Sequence, residues 1–230
     1  MIRTLLVIIF VLIVFILSLI AWPIEYLIGR FNPHARDISS LRIIQGVFKV
    51  ILFLSGVRLT IKGRENILKD EAALYVGNHR GFFDTIVSYS LMPGITGFIA
   101  KKEMGKVPFV RIWMRLLHCL FLDRSNPREG LTTILKGIEE LKNGVSIVIF
   151  PEGTRSKDGN NPGPFKGGTF KSAMKAKAPI VPVALIDSFK PFDTPGTSEV
   201  CVQIHYLKPI KYEEYKDMNT TQVADMVRTR

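Results

Sequence analysis

The sequence predicts an α/β fold: a mixed β-sheet flanked by helices, preceded by an N-terminal hydrophobic helical segment that anchors the chain to a membrane. Three observations carry that expectation. From Thr4 to Ile24 there is no charged side chain. Beyond about residue 57, short β-like runs alternate with helical stretches, the pattern of a layered α/β domain. Finally, 230 residues with 47% hydrophobic content and a mean hydropathy of +0.21 suffice for one large core. The chain therefore divides into a membrane-associated helical segment, 1–55, and a globular domain, 56–230.

The first element is TLLVIIFVLIVFILSLIAWPI, 21 residues from Thr4 to Ile24. As a helix it rises about 31 Å, enough to cross a hydrocarbon core of about 30 Å. A cleaved signal peptide fits poorly, because the run exceeds the usual ~7–15 apolar residues and no A-x-A-like site follows. Arg3 stands alone before it, whereas Arg30, Arg36, Arg42 and Lys49 follow. If the helix spans, the positive-inside rule places the rest of the chain in the cytoplasm. A second apolar stretch, LRIIQGVFKVILFLS (41–55), is broken only by Arg42, Gln45 and Lys49. Such a segment can lie in the interface with its cations snorkelling to headgroups, so the two stretches can instead form a hairpin dipped into one leaflet. Either way the domain is held against the cell inner membrane or plasma membrane, on its cytoplasmic side.

The globular elements follow in order. VRLTIKG (57–63) alternates like a half-buried strand, and AALYVGN (72–78) is a short apolar run ending at a Gly-Asn turn. DTIVSYSLM reads as helix. HCLFLDR (118–124) and VSIVIF (145–150) read as buried strands. Between them Leu131, Ile134, Leu135, Ile138 and Leu141 recur at helical spacing, with Ser125/Asn126 and Pro127 as a start and Asn143-Gly144 as a stop. IVPVALI (180–186) and VCVQIHYL (200–207) complete the strands. KDGNNPGPFKGG (157–168) is an internal loop, since patterned segments continue after it.

Charge narrows the function. Thirty-one Lys+Arg against 20 Asp+Glu give +11 and a pI near 9.7. Anionic leaflets attract juxtamembrane cations by about 1 kcal/mol each. Nucleic acid, the rival partner, is disfavoured: no helix-turn-helix, RRM or zinc-finger pattern is present. Cys119 and Cys201 lie far apart, which leaves neither a disulfide framework nor a CxxC metal site. GxSxG, GxxxxGK[ST], HExxH and GxGxxG after a strand are all missing. His118 and His205 lie in apolar runs and read as satisfied strand or core histidines.

Two blocks remain as candidate chemistry. In Asn78-His79-Arg80-Gly81-Phe82-Phe83-Asp84 a strand end delivers His79 onto a loop, and Asp84 opens a helix. A carboxylate accepting from Nδ1–H fixes the imidazole tautomer and leaves Nε2 free to take a proton from a hydroxyl. Asp84 can instead serve only as the helix N-cap. Phe150-Pro151-Glu152-Gly153-Thr154-Arg155-Ser156 lies past an apolar strand, where α/β folds build sites. There Gly153 permits close backbone approach and Arg155 offers a planar fork suited to phosphate. Glu152 suits a ligand hydroxyl or a neighbouring arginine. Arg124, Lys101, Lys102 and Lys166 follow other apolar runs or loops, and cations from several strand ends would converge into an anion pocket.

Taken in order, NHRGFFD (78–84), FLDRS (121–125), FPEGTRS (150–156) and VPVAL (181–185) resemble the four blocks of the glycerolipid acyltransferase family, nearest to its bacterial 1-acyl-glycerol-3-phosphate acyltransferases. The resemblance covers roughly residues 57–210. It implies that His79 is the general base and Asp84 its orienting partner. It also implies that Asn78, Lys101, Arg124, Glu152, Gly153, Thr154, Arg155 and Lys166 belong to the substrate-binding region, with Pro182 shaping the fourth block. The implied reaction takes an acyl group from acyl-CoA or acyl-acyl carrier protein, as co-substrate, to the 2-hydroxyl of lysophosphatidic acid, giving phosphatidic acid. Membrane lipids are the implied surroundings, and neither a cofactor nor a metal is expected. Another lysophospholipid or glycerol 3-phosphate is the alternative acceptor, and a non-catalytic lipid-binding protein is a different class of reading.

Overall fold

The computed structural model describes residues 2–123, 125–156, 158–193 and 198–230. Two long helices come first, α1 (Ile2–Phe31) and α2 (Pro33–Leu54). They reverse at Asn32, whose side chain accepts from Ala35 N while Pro33 occupies the first helical position, a helix start that needs no N–H there. The domain then runs β1 (Val57–Lys62), β2 (Leu74–Gly77), α3 (Phe83–Ser90), β3 (Thr96–Lys101), α4 (Pro108–Leu116) and β4 (Leu120–Leu122). It continues through α5 (Pro127–Lys142), β5 (Ser146–Ile149), α6 (Lys171–Ala176), β6 (Ile180–Ile186), α7 (Lys190–Asp193), β7 (Val200–Tyr206), α8 (Tyr212–Tyr215) and α9 (Thr220–Arg228).

The seven strands form one mixed sheet in the order β1-β7-β6-β2-β5-β3-β4. Every pairing is parallel except β6 with β7. Both faces of the sheet are covered, which explains why β2, β5 and β6 read as nearly unbroken apolar runs. Alternate residues serve the two cores. Leu74 and Val76 of β2 and Ile147 and Ile149 of β5 join Phe170, Ala173, Tyr215 and Val223 on one side. Tyr75 and Val148 join Phe83, Ile86 and Val87, together with Leu41, Ile44, Ile51 and Leu52 of α2, on the other.

The second apolar stretch therefore has a role the sequence did not reveal. It lies inside a 22-residue helix with one face packed on the domain. Gln45 Nε2 donates to the carbonyls of Tyr89 and Met92 near the end of α3, at 3.1 and 2.7 Å. Helix α1, by contrast, keeps a broad apolar face in the open, including Leu5, Ile8, Leu12, Ile16, Leu19 and Leu27. It is long and apolar enough to cross a membrane. Yet it is tied down along its length. Arg3 donates to Ser198 O at 2.5 Å, Trp113 Nε1 donates to Ser18 Oγ at 2.8 Å, and the buried carboxylate of Glu25 accepts from Ser39 and Ser40 at 2.6 and 3.0 Å. Phe109 of α4 lies against Phe15 and Trp22, with ring centroids 4.9 and 5.1 Å apart.

Candidate active site

Strand β2 lies between β5 and β6, and the connections that leave β2 and β5 run in opposite directions across the sheet. Through α3 the chain passes to β3 beyond β5; after β5 it crosses by way of α6 to β6 on the other side. The carboxyl ends of β2, β5 and β6 thus open at a switch point, where parallel sheets hold ligands. Asn78-His79, Glu152-Gly153 and Asp187-Ser188 follow those three ends directly.

At this end Asp84 and His79 meet. Asp84 is fully buried and sits in the first turn of α3. Its Oδ2 lies 2.7 Å from His79 Nδ1 and accepts from the backbone N–H groups of Arg80 and Gly81 at 2.5 and 2.8 Å. Its Oδ1 accepts from the Ser188 hydroxyl. Four donors around one carboxyl suit the ionised, acceptor-only form, so His79 Nδ1 carries the proton and Nε2 holds the free lone pair. The N-cap role fails, because Phe82 occupies that position without a side-chain bond and Asp84 receives its N–H bonds from residues before the helix. The imidazole stacks on Phe150, centroids 4.5 Å apart and planes 9° from parallel, and keeps 21% of its side-chain surface exposed. An oriented imidazole with an open edge is the result.

Glu152 does something other than orient an arginine. Buried at the end of β5, it accepts from His79 N at 2.7 Å and from Gly163 N at 3.0 Å, bracing the backbone of the histidine loop. Ser156 N donates back to His79 O at 2.8 Å, so the two motif loops are knitted together. Asn78 is buried as well, and its amide is committed to Leu185, donating to its carbonyl at 2.9 Å and accepting from its N–H at 2.7 Å. It ties β2 to β6 below the site. Gly153 has φ +74°, and a Cβ there would stand 2.9 Å from Lys166 Nζ. The left-handed φ is what favours glycine in this turn, since the flexible lysine tip can move aside.

Thr154, Arg155 and Lys166 are exposed around this opening, and among the described residues Arg155 makes no ion pair. Lys101 ends β3 at the same edge of the sheet, two strands from β2, exposed and 3.5 Å from Glu103. Its neighbour Lys102 is paired with Asp123. That ammonium, with the Ser125 hydroxyl and N–H, holds the Asp123 carboxyl down at about 2. Arg124 lies outside the described residues. No cluster of metal-ligating side chains occurs among the described residues.

Two further side chains at this site lie outside the sequence-based expectations. Arg80 places its guanidinium over the Phe189 ring, 4.6 Å from the centroid, and donates to Ser156 O. It belongs to the first block, 78–84. Ser188 lies 104 positions from Asp84, a separation for which no local pattern exists. A cleft of about 580 Å³, lined by residues including His34, Arg115, His118, Lys136 and Glu140, lies at the opposite, amino end of the parallel strands, away from His79. His118 there is 3.0 Å from both Asp37 and Glu140, and His205 bonds Gln203 at 3.1 Å, so both histidines have structural partners.

Residues 58–186 match the model of the Acyltransferase family, spanning all four sequence blocks. The chain belongs to that family. Among curated members, a 1-acyl-sn-glycerol-3-phosphate acyltransferase from Borreliella burgdorferi is 30% identical over 189 residues, covering 80% of this chain and 75% of that protein. A protein of the same name from Saccharomyces cerevisiae is 32% identical over 207 residues, 88% of this chain and 66% of its own length. Among solved structures, the 1-acyl-sn-glycerophosphate (LPA) acyltransferase PlsC of Thermotoga maritima superimposes with a TM-score of 0.78 over 99% of this chain and 93% of its own. At 23% identity that likeness speaks for the fold. The mixed sheet, the long apolar N-terminal helix and the enzymatic class expected from the sequence thus all stand for this acyltransferase.

Proposed function

We propose that this acyltransferase transfers an acyl chain from acyl-CoA or acyl-acyl carrier protein to the 2-hydroxyl of 1-acyl-glycerol-3-phosphate, forming phosphatidic acid. The observation that carries the reading is the pairing of His79 Nδ1 with a fully buried Asp84 at 2.7 Å, beside the exposed Arg155 and Lys166 at one end of the sheet. His79 Nε2 takes the hydroxyl proton as the oxygen attacks the thioester carbonyl. Collapse of the tetrahedral intermediate expels the thiolate, which takes up the proton from the imidazolium. General-base assistance of this kind contributes about 10²–10⁴ in rate. Arg155 and Lys166, with Lys101 nearby, attract the phosphate and fix the acceptor, and positioning adds to the acceleration. A thioester is already activated, so this route needs no resident metal or cofactor.

The apolar face of α1 supports placing the active site at a bilayer, where acceptor and acyl chain both reside. Contacts at both ends and the middle of α1 favour a hairpin lying in one leaflet over a helix that departs from the domain to span. In this reading the domain faces the cytoplasm. A detergent-micelle assay offering lysophosphatidic acid, glycerol 3-phosphate and other lysophospholipids together, with acyl-CoA and acyl-acyl carrier protein in turn, tests the reading by product mass. Phosphatidic acid as the main product is expected. Exclusive acylation of another acceptor, or no thiol release with any donor, would overturn it.

A further inference from the structure

Asp84 has two oxygens, and the reaction described above accounts for only one. Oδ2 gathers the imidazole and two backbone N–H groups. Oδ1, inside a residue with no exposed surface, accepts from the hydroxyl of Ser188, itself fully buried. We propose that Ser188 is a positioning residue for acyl transfer, its hydroxyl fixing the Asp84 carboxylate so that Oδ2 stays on His79 Nδ1. The inference rests on the reading of His79 as general base.

Two physical arguments support it. The aspartate χ2 torsion is broad, so bonds from the sequence-local loop alone leave the carboxylate free to rock about Cβ–Cγ. A bond to the other oxygen from a different part of the fold restrains that rotation. Moreover, a buried anionic oxygen deprived of its donor is costly, and the carboxylate relieves that cost by turning to share the Arg80 and Gly81 N–H groups, which draws Oδ2 off the imidazole.

The segment that carries Ser188 is built to hold still. It begins one residue past β6, at Asp187, which has φ +61°. Asp187 N donates to Asn160 Oδ1 at 2.9 Å, Asn160 Nδ2 donates to Asp187 Oδ1 at 3.1 Å, and Lys190 Nζ pairs with Asp187 Oδ2 at 2.8 Å. On the other side Phe189 lies under the Arg80 guanidinium. The turn is therefore pinned from the internal loop, from α7 and from the histidine loop. Ser188 transmits that rigidity to the base through one hydroxyl.

The test uses the detergent-solubilised full chain. Ser188→Ala removes the donor without adding volume. It lowers kcat about 10- to 100-fold, the range for a lost hydrogen bond to a charged group, with the acceptor KM unchanged. Ser188→Thr keeps the hydroxyl and recovers most of the loss. A second readout does not depend on turnover: the downfield proton resonance of His79 Nδ1–H, assigned by its absence in His79→Gln, moves in Ser188→Ala and returns in Ser188→Thr. Wild-type kcat in Ser188→Ala, or equal losses in the Ala and Thr variants with an unmoved resonance, overturns the assignment. If the wild type fails to acylate lysophosphatidic acid, the proposed function falls, while the resonance still decides the role of Ser188.

Discussion

Replacing Asp84 with Asn tests the dyad with little disturbance of the fold. The amide oxygen can take the place of Oδ2 and go on accepting from Arg80 N, Gly81 N and His79 Nδ1, while the amide NH₂ faces Ser188, whose hydroxyl can accept. What disappears is the negative charge beside the imidazolium that the proposed mechanism forms as the acceptor hydroxyl is deprotonated. Two unit charges about 4 Å apart at an effective dielectric near 20 interact by about 4 kcal/mol. A charged hydrogen bond is worth about 1.5–3 kcal/mol net. Between those limits, Asp84→Asn should lower kcat roughly 10²- to 10³-fold. The acceptor KM should change little, because Asp84 is buried and does not face the phosphate. Thiol release from acyl-CoA in lysophosphatidic acid micelles measures both constants, and a thermal melt confirms that the variant is folded. A folded variant within about threefold of wild-type kcat would show that the Asp84 charge does not assist proton transfer.

Three further outcomes are expected. Arg155→Ala should raise the acceptor KM with a smaller effect on kcat, since the side chain is exposed at the mouth of the site and unpaired among the described residues; an unaltered KM removes it from the phosphate site. Hydrogen bonds that the imidazolium donates to Asp37 and then to Glu140 raise His118 from 6.5 to about 9, against the opposing effect of burial. Its contribution is therefore complete below pH 6.5 and lost as pH climbs through about 9, worth about 1–2 kcal/mol after allowance for partial exposure. Wild type should lose more stability than His118→Gln in denaturant titrations between pH 7 and pH 10, and parallel losses would contradict this. Finally, single cysteines replacing Ile2 and Phe31, both exposed at opposite ends of α1, should be labelled by an impermeant maleimide from the same side of sealed vesicles in a Cys201→Ser background. Labelling from opposite sides would establish a spanning helix.

Most of the architecture was legible because it rests on local signals. The helix expected over 129–143 has its start and stop where Asn126, Pro127 and Asn143 lie, as capping chemistry requires. The strands at 57–63, 145–150, 180–186 and 200–207 appear within a residue or two of their apolar runs. Strand β3 was less visible, because Thr96 and Gly97 leave only Phe98, Ile99 and Ala100 as its apolar run. Helices α6, α8 and α9 are short and owe their stability to packing on the sheet, so periodicity gave them little weight. The inward face of α2 was hidden for a different reason: a stripe that packs on a protein core and one that faces lipid have the same composition.

The site divided along the same line. His79 and Asp84 stand five residues apart, and their meeting was readable from one block. The carboxylate of Glu152 showed its chemical type but not its target, because its bond to His79 N joins neighbouring strands 73 residues apart. The bonds of the Asn78 amide to Leu185 were equally hidden, since only the register of β2 on β6 brings Leu185 to it. Long-range pairing is what a single sequence conceals.

The proposed acyl transfer depends on the imidazole of His79 as the proton acceptor. His79→Ala, purified in detergent at wild-type stability and assayed with lysophosphatidic acid and acyl-CoA, measures that claim most directly. A fall of about 10²–10⁴ in kcat, with acceptor binding retained, is the predicted result. Turnover within a few-fold of wild type would contradict it.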